Sequence, residues 1–318
     1  MDALLFTPLL GVQAWLWLMF LGIVVVLLVL DLGVLNRKEH EIGIGESLVL
    51  SAGYIAVALT FGAWIWFSRG AEDGLAWVTG YMVEKTLSLD NVFVISLIFT
   101  SLAVPRIYQH RVLFWGILGV IVLRGLMIGF GTALVSQFSW VLYVFGAFLV
   151  VTGIKMLFTK ESHDDPTQGP VMAWLRRVLR VTPELHGNRF FVRDAGAWRA
   201  TPLFLALSMV ELADLVFAVD SVPAIFAIST DPYIVYTSNI FAVLGLRALY
   251  FALAAMVHRF AYLKLSLSLI LVFIGGKIFW THLVGKPDPA ITLGVTFALI
   301  AAGIGLSLWR TRRQGGTA

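Results

Sequence analysis

No cysteine occurs among the 318 residues, which excludes both disulfides and thiolate metal sites. Charge is scarce as well. Asp, Glu, Lys and Arg make up 13% of the chain, against 59% hydrophobic residues, and the mean hydropathy is +0.89. A soluble domain is about half apolar and roughly a quarter charged, so the apolar excess has to face lipid. A nucleotide-binding loop is missing too. Gly275-Gly276 lies inside an apolar run and lacks the Lys-Ser/Thr continuation of a phosphate cradle. Nothing points to a nucleic-acid partner or to an enzyme. Met1-Asp2 brings no basic n-region, so the first apolar run is read as a span and not as a cleaved leader.

What is present is a succession of long apolar runs. A spanning helix needs about 20 mainly apolar residues. Nine stretches qualify: 13–35, 47–67, 77–101, 112–137, 139–158, 201–228, 238–258, 263–284 and 289–309. The third and sixth are the weakest because they carry acids. The expected fold class is therefore an all-α polytopic membrane protein with nine transmembrane helices. Basic residues set its orientation. Connections on the side of the C-terminus hold 16 Lys and Arg, whereas the other side holds only Arg69 and Lys286. The N-terminus is expected outside and the C-terminus in the cytoplasm.

The largest connection, 159–200, is basic and cytoplasmic on this reading. Val171, Trp174, Leu175 and Val178 share a helical face there, with Arg176, Arg177 and Arg180 off it, as in an interfacial helix on anionic lipid. The following RFFVRDAGAWRAT predicts a small hairpin.

The spans repeat. Glu84-x5-Asp90-Asn91 matches Asp214-x5-Asp220-Ser221, Leu123-Arg124-Gly125 matches Leu246-Arg247-Ala248, and Gly153-Ile154-Lys155 matches Gly275-Gly276-Lys277. Each unit is an acidic helix, an Arg helix and a Lys helix. Three spans is an odd number, so the second unit enters the membrane from the opposite face. Such 3+3 inverted repeats build secondary transporters, with the substrate site near mid-membrane. The expected organisation is two flanking spans in 1–76, unit A in 77–158, the basic loop in 159–200, unit B in 201–284, and a ninth span with a basic tail in 285–318.

Eleven ionisable residues fall inside these spans: Asp31, Glu84, Asp90, Glu211, Asp214 and Asp220, with Lys85, Arg124, Lys155, Arg247 and Lys277. At ~2.5–3.5 kcal/mol each, leaving them unpaired in lipid would cost on the order of 30 kcal/mol. They must pair, line water or bind an ion. Glu84, Ser88 and Asn91 form one stripe, as do Glu211, Asp214, Ala218 and Ser221. Asp220 needs a break to join its stripe, and Pro223 is positioned to give one. The available ligands are all oxygen, from these acids and from Asn91, Ser221, Ser88, Asn239 and Ser238. Oxygen ligands suit Mg²⁺, Ca²⁺ or Mn²⁺. The alternative is purely structural pairing, as of Asp220 with Arg124 or Asp90 with Arg247. Asp31, near the cytoplasmic end of the first span, joins the charge-pairing or gating group or stays solvated.

EKTLSLDNVFV (84–94), VELADLVFAVDSVPAIFAIS (210–229) and YTSNIFAVLGLRALYF (236–251) resemble the TerC/Alx family of bacterial integral membrane proteins, and the Alx branch most closely. The three-plus-three arrangement is also similar to the wider LysE transporter superfamily. The resemblance implies Mn²⁺ export across the bacterial inner membrane, with Mn²⁺ as cargo and no resident cofactor. It also implies links to tellurite resistance and, for some members, a part in secretion or membrane-protein assembly; a non-transporting partner protein is thus the alternative function. On the transport reading Asp90 and Asp220 are central ligands. Glu84 and Asp214 are flanking ligands or proton carriers, Asn91 and Ser221 neutral ligands, and Glu211 a control on cytoplasmic access. Arg124 and Arg247 are expected to pair with carboxylates when no cation is bound. A homo-oligomer is compatible with all of this.

Overall fold

In the computed structural model the described residues are 8–9, 11–30, 43–158, 169–194, 196–254, 263–285 and 287–314; Asp31 and the side chains of Asp90 and Arg247 lie outside them. The helices are α1 (Ala14–Leu30), α2 (Ile44–Arg69), α3 (Ala71–Ser101), α4 (Arg106–Gln137), α5 (Val141–Phe158), α6 (Pro170–Val178), α7 (Pro202–Phe226), α8 (Pro232–Ala254), α9 (Leu263–Leu283) and α10 (Pro289–Gln314). A short pairing of β1 (Pro8–Leu9) with β2 (Val12–Gln13) precedes α1, and β3 (Phe191–Asp194) pairs with β4 (Ala197–Ala200) as the expected hairpin.

The described part of each of the nine apolar stretches lies mainly in a helix; 31–35 of the first and 255–258 of the seventh lie outside the described residues. Six of these helices are long and apolar enough to cross a membrane, and α8 makes a seventh if its two bent parts count as one span. The chain is thus a multi-pass membrane protein. Helix α3 falls short of that apolar limit, as its acids foretell, whereas the acidic α7 passes. Several helices begin earlier than hydropathy places them: α3 at Ala71, α4 at Arg106 and α8 at Pro232. The first turns of α3 and α4 hold charged residues that an apolar count leaves out. For α8 the start is fixed chemically. Asp231 Oδ1 accepts the N–H groups of Tyr233 (2.8 Å) and Ile234 (3.2 Å), which satisfies donors at the helix N-terminus.

Helices α2 and α3 are joined by Gly70 alone, at φ 104°, a conformation open to glycine and strained for other residues. Arg69, at this junction, donates to Asp73 (2.9 Å) and to Asp231 (2.5 Å). The same end of the molecule holds a 540 Å³ cavity lined by residues from the start of α3 and from the turns before α5, α8 and α10, among them Asp73, Ser139, Asp231 and Pro287.

The principal packing runs between the two halves of the chain. Helix α3 lies against α8, α4 against α7 and α8, α3 against α7, and α5 against α9. The α5–α9 contact is backbone to backbone. A Cβ on Gly275 would sit 2.6 Å from the Gly146 carbonyl oxygen, and one on Gly153 would sit 2.7 Å from that of Ser268. Small residues permit this approach. An aromatic cluster of Phe20, Phe61, Trp77, Tyr233 and Phe241 ties α1 and α2 to α3 and α8.

Candidate ion site

Arg124 lies at the centre of the bundle, on the middle turns of α4, and is 1% exposed. Its guanidinium has no water to meet, so every N–H needs a protein acceptor. Nε donates to Asp214 Oδ2 at 3.1 Å and Nη2 to Asp214 Oδ1 at 2.8 Å, a two-point clamp. Nη1 donates to Glu84 Oε1 and to Asn239 Oδ1, the latter at 2.7 Å. Asn239 then donates from Nδ2 to Glu84 Oε2 at 3.1 Å, and Ser88 Oγ to Glu84 Oε1 at 3.3 Å. Four helices contribute: α3 brings Glu84 and Ser88, α4 Arg124, α7 Asp214 and α8 Asn239.

The charges do not cancel. One guanidinium faces two carboxylates, which leaves one negative charge among these groups. Asn91 stands beside them, its amide 3.5 Å from Asp214 Oδ1. Among the described residues its own Oδ1 is buried without a hydrogen-bond partner, and so is the hydroxyl of Ser221, two turns beyond Asp214. Asn91 and Asp214 also line a cavity of 40 Å³, otherwise largely apolar and bounded by Leu113, Val210 and Leu246. A buried oxygen without a donor is costly. An ion or water molecule entering this cavity would meet Asn91 next to the Asp214 carboxylate.

The sequence-derived residues separate into three groups. Glu84, Asp214, Asn91 and Arg124 come together. Glu211 and Asp220 do not join them through hydrogen bonds. The Glu211 carboxylate rests on the bare backbone of α4 at Gly119, where a methyl group would collide with it, and its Oε2 lacks a partner among the described residues. Asp220 is half-buried. The pairing of Asp220 with Arg124 is therefore corrected: Arg124 takes Glu84 and Asp214, the matched residues of the two repeats. The helix break is corrected as well, because α7 runs through Pro223 to Phe226. Six residues along a continuous helix place Asp220 about 9 Å from Asp214 along its axis. Asp31, and the side chains of Asp90 and Arg247, lie outside the described residues.

Lys85 follows a separate course. It turns away from Glu84 and donates to the Ala242 carbonyl of α8 at 3.1 Å. Gly245 makes room, since a Cβ there would lie 2.6 Å from the ammonium nitrogen. Adjacent positions on a helix face different ways, so the divergence of Glu84 and Lys85 was legible. The carbonyl acceptor was not, because every residue offers one. Among the described residues no three His, Asp or Glu side chains are grouped to hold a metal ion.

Known proteins give the family context. The family described as integral membrane protein TerC matches residues 69–315. An uncharacterized membrane protein of Myxococcus xanthus is 48% identical over 297 residues, covering 93% of each chain. One from Rickettsia bellii is 47% identical over 294 residues, 92% of this chain and 97% of its own. A relative in Escherichia coli is 44% identical over 308 residues, 94% of this chain and 96% of its own; it is described, provisionally, as a membrane-bound redox modulator and named Alx. No solved structure matches. The match to most of the chain and the identity of these full-length relatives agree: the protein belongs to the TerC family of integral membrane proteins.

Proposed function

We propose that the protein is a secondary transporter of the bacterial inner membrane that exports Mn²⁺ in exchange for protons. The observation that carries this reading is the buried Arg124, shared between Glu84 and Asp214 beside an Asn91 oxygen that has no hydrogen-bond partner among the described residues. Two carboxylates and one guanidinium form a site that can exist in two states. In one, Arg124 satisfies both acids. In the other it withdraws, and a divalent cation takes the oxygens. Hard oxygen ligands favour Mn²⁺, Mg²⁺ or Ca²⁺; the choice of Mn²⁺ follows the family resemblance. Asp90, Asp220, Asn91 and Ser221 supply further ligand positions along α3 and α7, and Glu211 is a proton site towards the cytoplasm.

The packing supports the 3+3 inverted repeat. Exchanging unit A for unit B turns the α3–α8 contact into α7–α4 and leaves α3–α7, α4–α8 and α5–α9 unchanged, and all of these contacts occur. The turns expected outside also gather round one cavity. Moving a divalent cation out against an inside-negative potential of 100 mV costs roughly 4.6 kcal/mol, twice the single-charge value. Protons offset this simply, because protonating a ligand carboxylate lowers its affinity for metal. The name given to the Alx relatives suggests redox work instead, but a chain without cysteine has no thiol with which to perform it.

The test is ⁵⁴Mn uptake into inside-out vesicles under an imposed proton gradient. Glu84→Gln, Asp214→Asn, Asp90→Asn and Asp220→Asn should each lower uptake at least tenfold at unchanged expression. Unchanged uptake in both Glu84→Gln and Asp214→Asn would overturn the assignment. Competition by Mg²⁺ and Ca²⁺ in the same vesicles fixes the cargo.

A further inference from the structure

The described part of the connection between α5 and α7 is a built unit. Helix α6 turns Met172, Leu175 and Leu179 into the bundle, in one packed cluster with Val112, Leu113 and Leu203. This corrects the helical face read from sequence, since Leu175 points inwards while Trp174 and Val178 stay outside. The hairpin is tied to the same helix. Thr182 N–H donates to the Ala200 carbonyl (2.9 Å), Ala200 N–H to the Leu179 carbonyl (3.4 Å), and the Thr201 hydroxyl to the Arg189 carbonyl (2.7 Å). The outward surfaces of both elements are therefore fixed in direction.

Those surfaces are apolar where a connection facing only water would be polar. Trp174 is 61% exposed, Val178 56% and Trp198 71%. Trp174, Arg177 and Val178 follow the i, i+3, i+4 spacing of one helical face. In the hairpin, Arg193 stands opposite Trp198 in the strand register, so both side chains leave the same face, and Phe191 shares it two residues earlier. Arg199 projects from the other face and is paired with Asp194 at 2.9 Å. Each patch thus sets a large aromatic beside a guanidinium. Span α7 begins at Pro202, two residues beyond the hairpin, a reach of only about 7 Å of extended chain.

We propose that α6 and the β3–β4 hairpin form a docking surface for anionic phospholipid. Trp174, Val178 and Trp198 sit at the boundary between headgroups and acyl chains, where tryptophan is favoured. Arg177 and Arg193 take the phosphates, whose geometry their planar donor forks match. Zwitterionic lipid offers no net charge to hold a basic segment, so docking depends on the anionic component. The inner face of α6 belongs to the cluster that includes Leu113, Val210 and Leu246, which also wall the small cavity beside Asp214. Docking therefore fixes one wall of the ion site from the cytoplasmic side.

The absence of native cysteine makes the test direct. The full chain is made with Val178→Cys or Trp198→Cys, labelled with a nitroxide, and placed in nanodiscs of phosphatidylcholine alone or with one-third phosphatidylglycerol. Electron spin resonance then reads collisions with a water-soluble nickel chelate. Access at both positions should be several-fold lower in the anionic discs. Adding Arg177→Gln and Arg193→Gln, both exposed residues outside the ion site, should reduce the docked-to-undocked ratio by roughly 30-fold, the value for two interfacial charges, and restore access. A label at Phe130→Cys, on the lipid-exposed side of α4, should stay shielded in every sample and so reports correct insertion. Equal chelate access in both lipid compositions, or no response to the arginine changes, overturns the proposal. Transport is not read, so the result stands apart from the fate of the ion-path reading.

Discussion

Replacing Arg124 with glutamine separates two roles for a buried cation. The wild-type side chain makes four charge-assisted or amide hydrogen bonds, two to Asp214, one to Glu84 and one to Asn239. Counted singly at ~1.5–3 kcal/mol for charged partners, they would exceed most of the stability of an ordinary protein. Desolvation of the ions cancels much of that. The measured cost of removing one partner from a buried pair is about 3–5 kcal/mol, because the other charge is left uncompensated. For a chain of this size that corresponds to a fall in Tm of about 4–8 °C. Arg124→Gln is therefore expected to melt about 4–8 °C below wild type in detergent without divalent cations. If the guanidinium competes with cargo, Mn²⁺ should raise the melting temperature of the variant more than that of wild type, while vesicle uptake is lost because nothing displaces the bound ion. A second change checks the charge count. Removing one acid as well, as Arg124→Gln with Glu84→Gln, returns the cluster to one negative charge and should recover at least half of the lost stability. Equal melting temperatures for wild type and Arg124→Gln, or equal Mn²⁺ stabilisation of both, would refute the reasoning.

Three further expectations follow from the packing. Gly275→Ala places a methyl 2.6 Å from the Gly146 carbonyl oxygen and should destabilise by about 1–3 kcal/mol, whereas the adjacent Gly276→Ala meets nothing within 4 Å and should be neutral or stabilising by up to ~1 kcal/mol; paired thermal melts check the contrast. Gly119→Ala should displace the Glu211 carboxylate and change the pH dependence of vesicle uptake while leaving the melting temperature within about 2 °C of wild type. Ser47→Ala should lower stability by about 1–2 kcal/mol, measured by the same melts, since the Ser47 hydroxyl donates to the Ala248 carbonyl and accepts from Ala252 N–H (3.0 Å). It sits just beyond the 51° bend of α8 between Leu246 and Ala248, where an inserted side chain can sustain a kink.

The helices were legible because apolar runs of spanning length leave a backbone little choice but to bond internally. Their starts were less so. Hydropathy measures lipid exposure, and the first turns of α3 and α4 are charged; α8 opens on Pro-Tyr-Ile-Val, and its start is marked by the cap at Asp231. In the site, the stripes Glu84–Ser88–Asn91 and Asp214–Ala218–Ser221 follow directly from 3.6-residue periodicity, and both are buried. Which acid Arg124 takes depends on the relative height of α4 and α7 across a gap of 90 residues, and no local pattern encodes that height. The repeat came nearest to it, since it already matched Glu84 with Asp214. The inward turn of Leu175 was hidden for a similar reason. A helix of nine residues with apolar groups on two sides gives no sign of which side meets protein and which meets lipid.

The interlocked halves also bear on how the molecule is made. Glu84 and Arg124 lie 40 residues apart, but Arg124 and Asp214 lie 90 apart. At ordinary translation rates of about 5–20 residues per second, α4 waits roughly 5–18 s for the second acid to be synthesised. During that interval one carboxylate and one guanidinium form a neutral pair, which a bilayer tolerates. Asp214 then arrives by addition to a pair that already exists, so the excess negative charge of the cluster appears only as the second half assembles. A nascent chain stalled before α7 would hold the Glu84–Arg124 pair without the excess carboxylate that Asp214 brings.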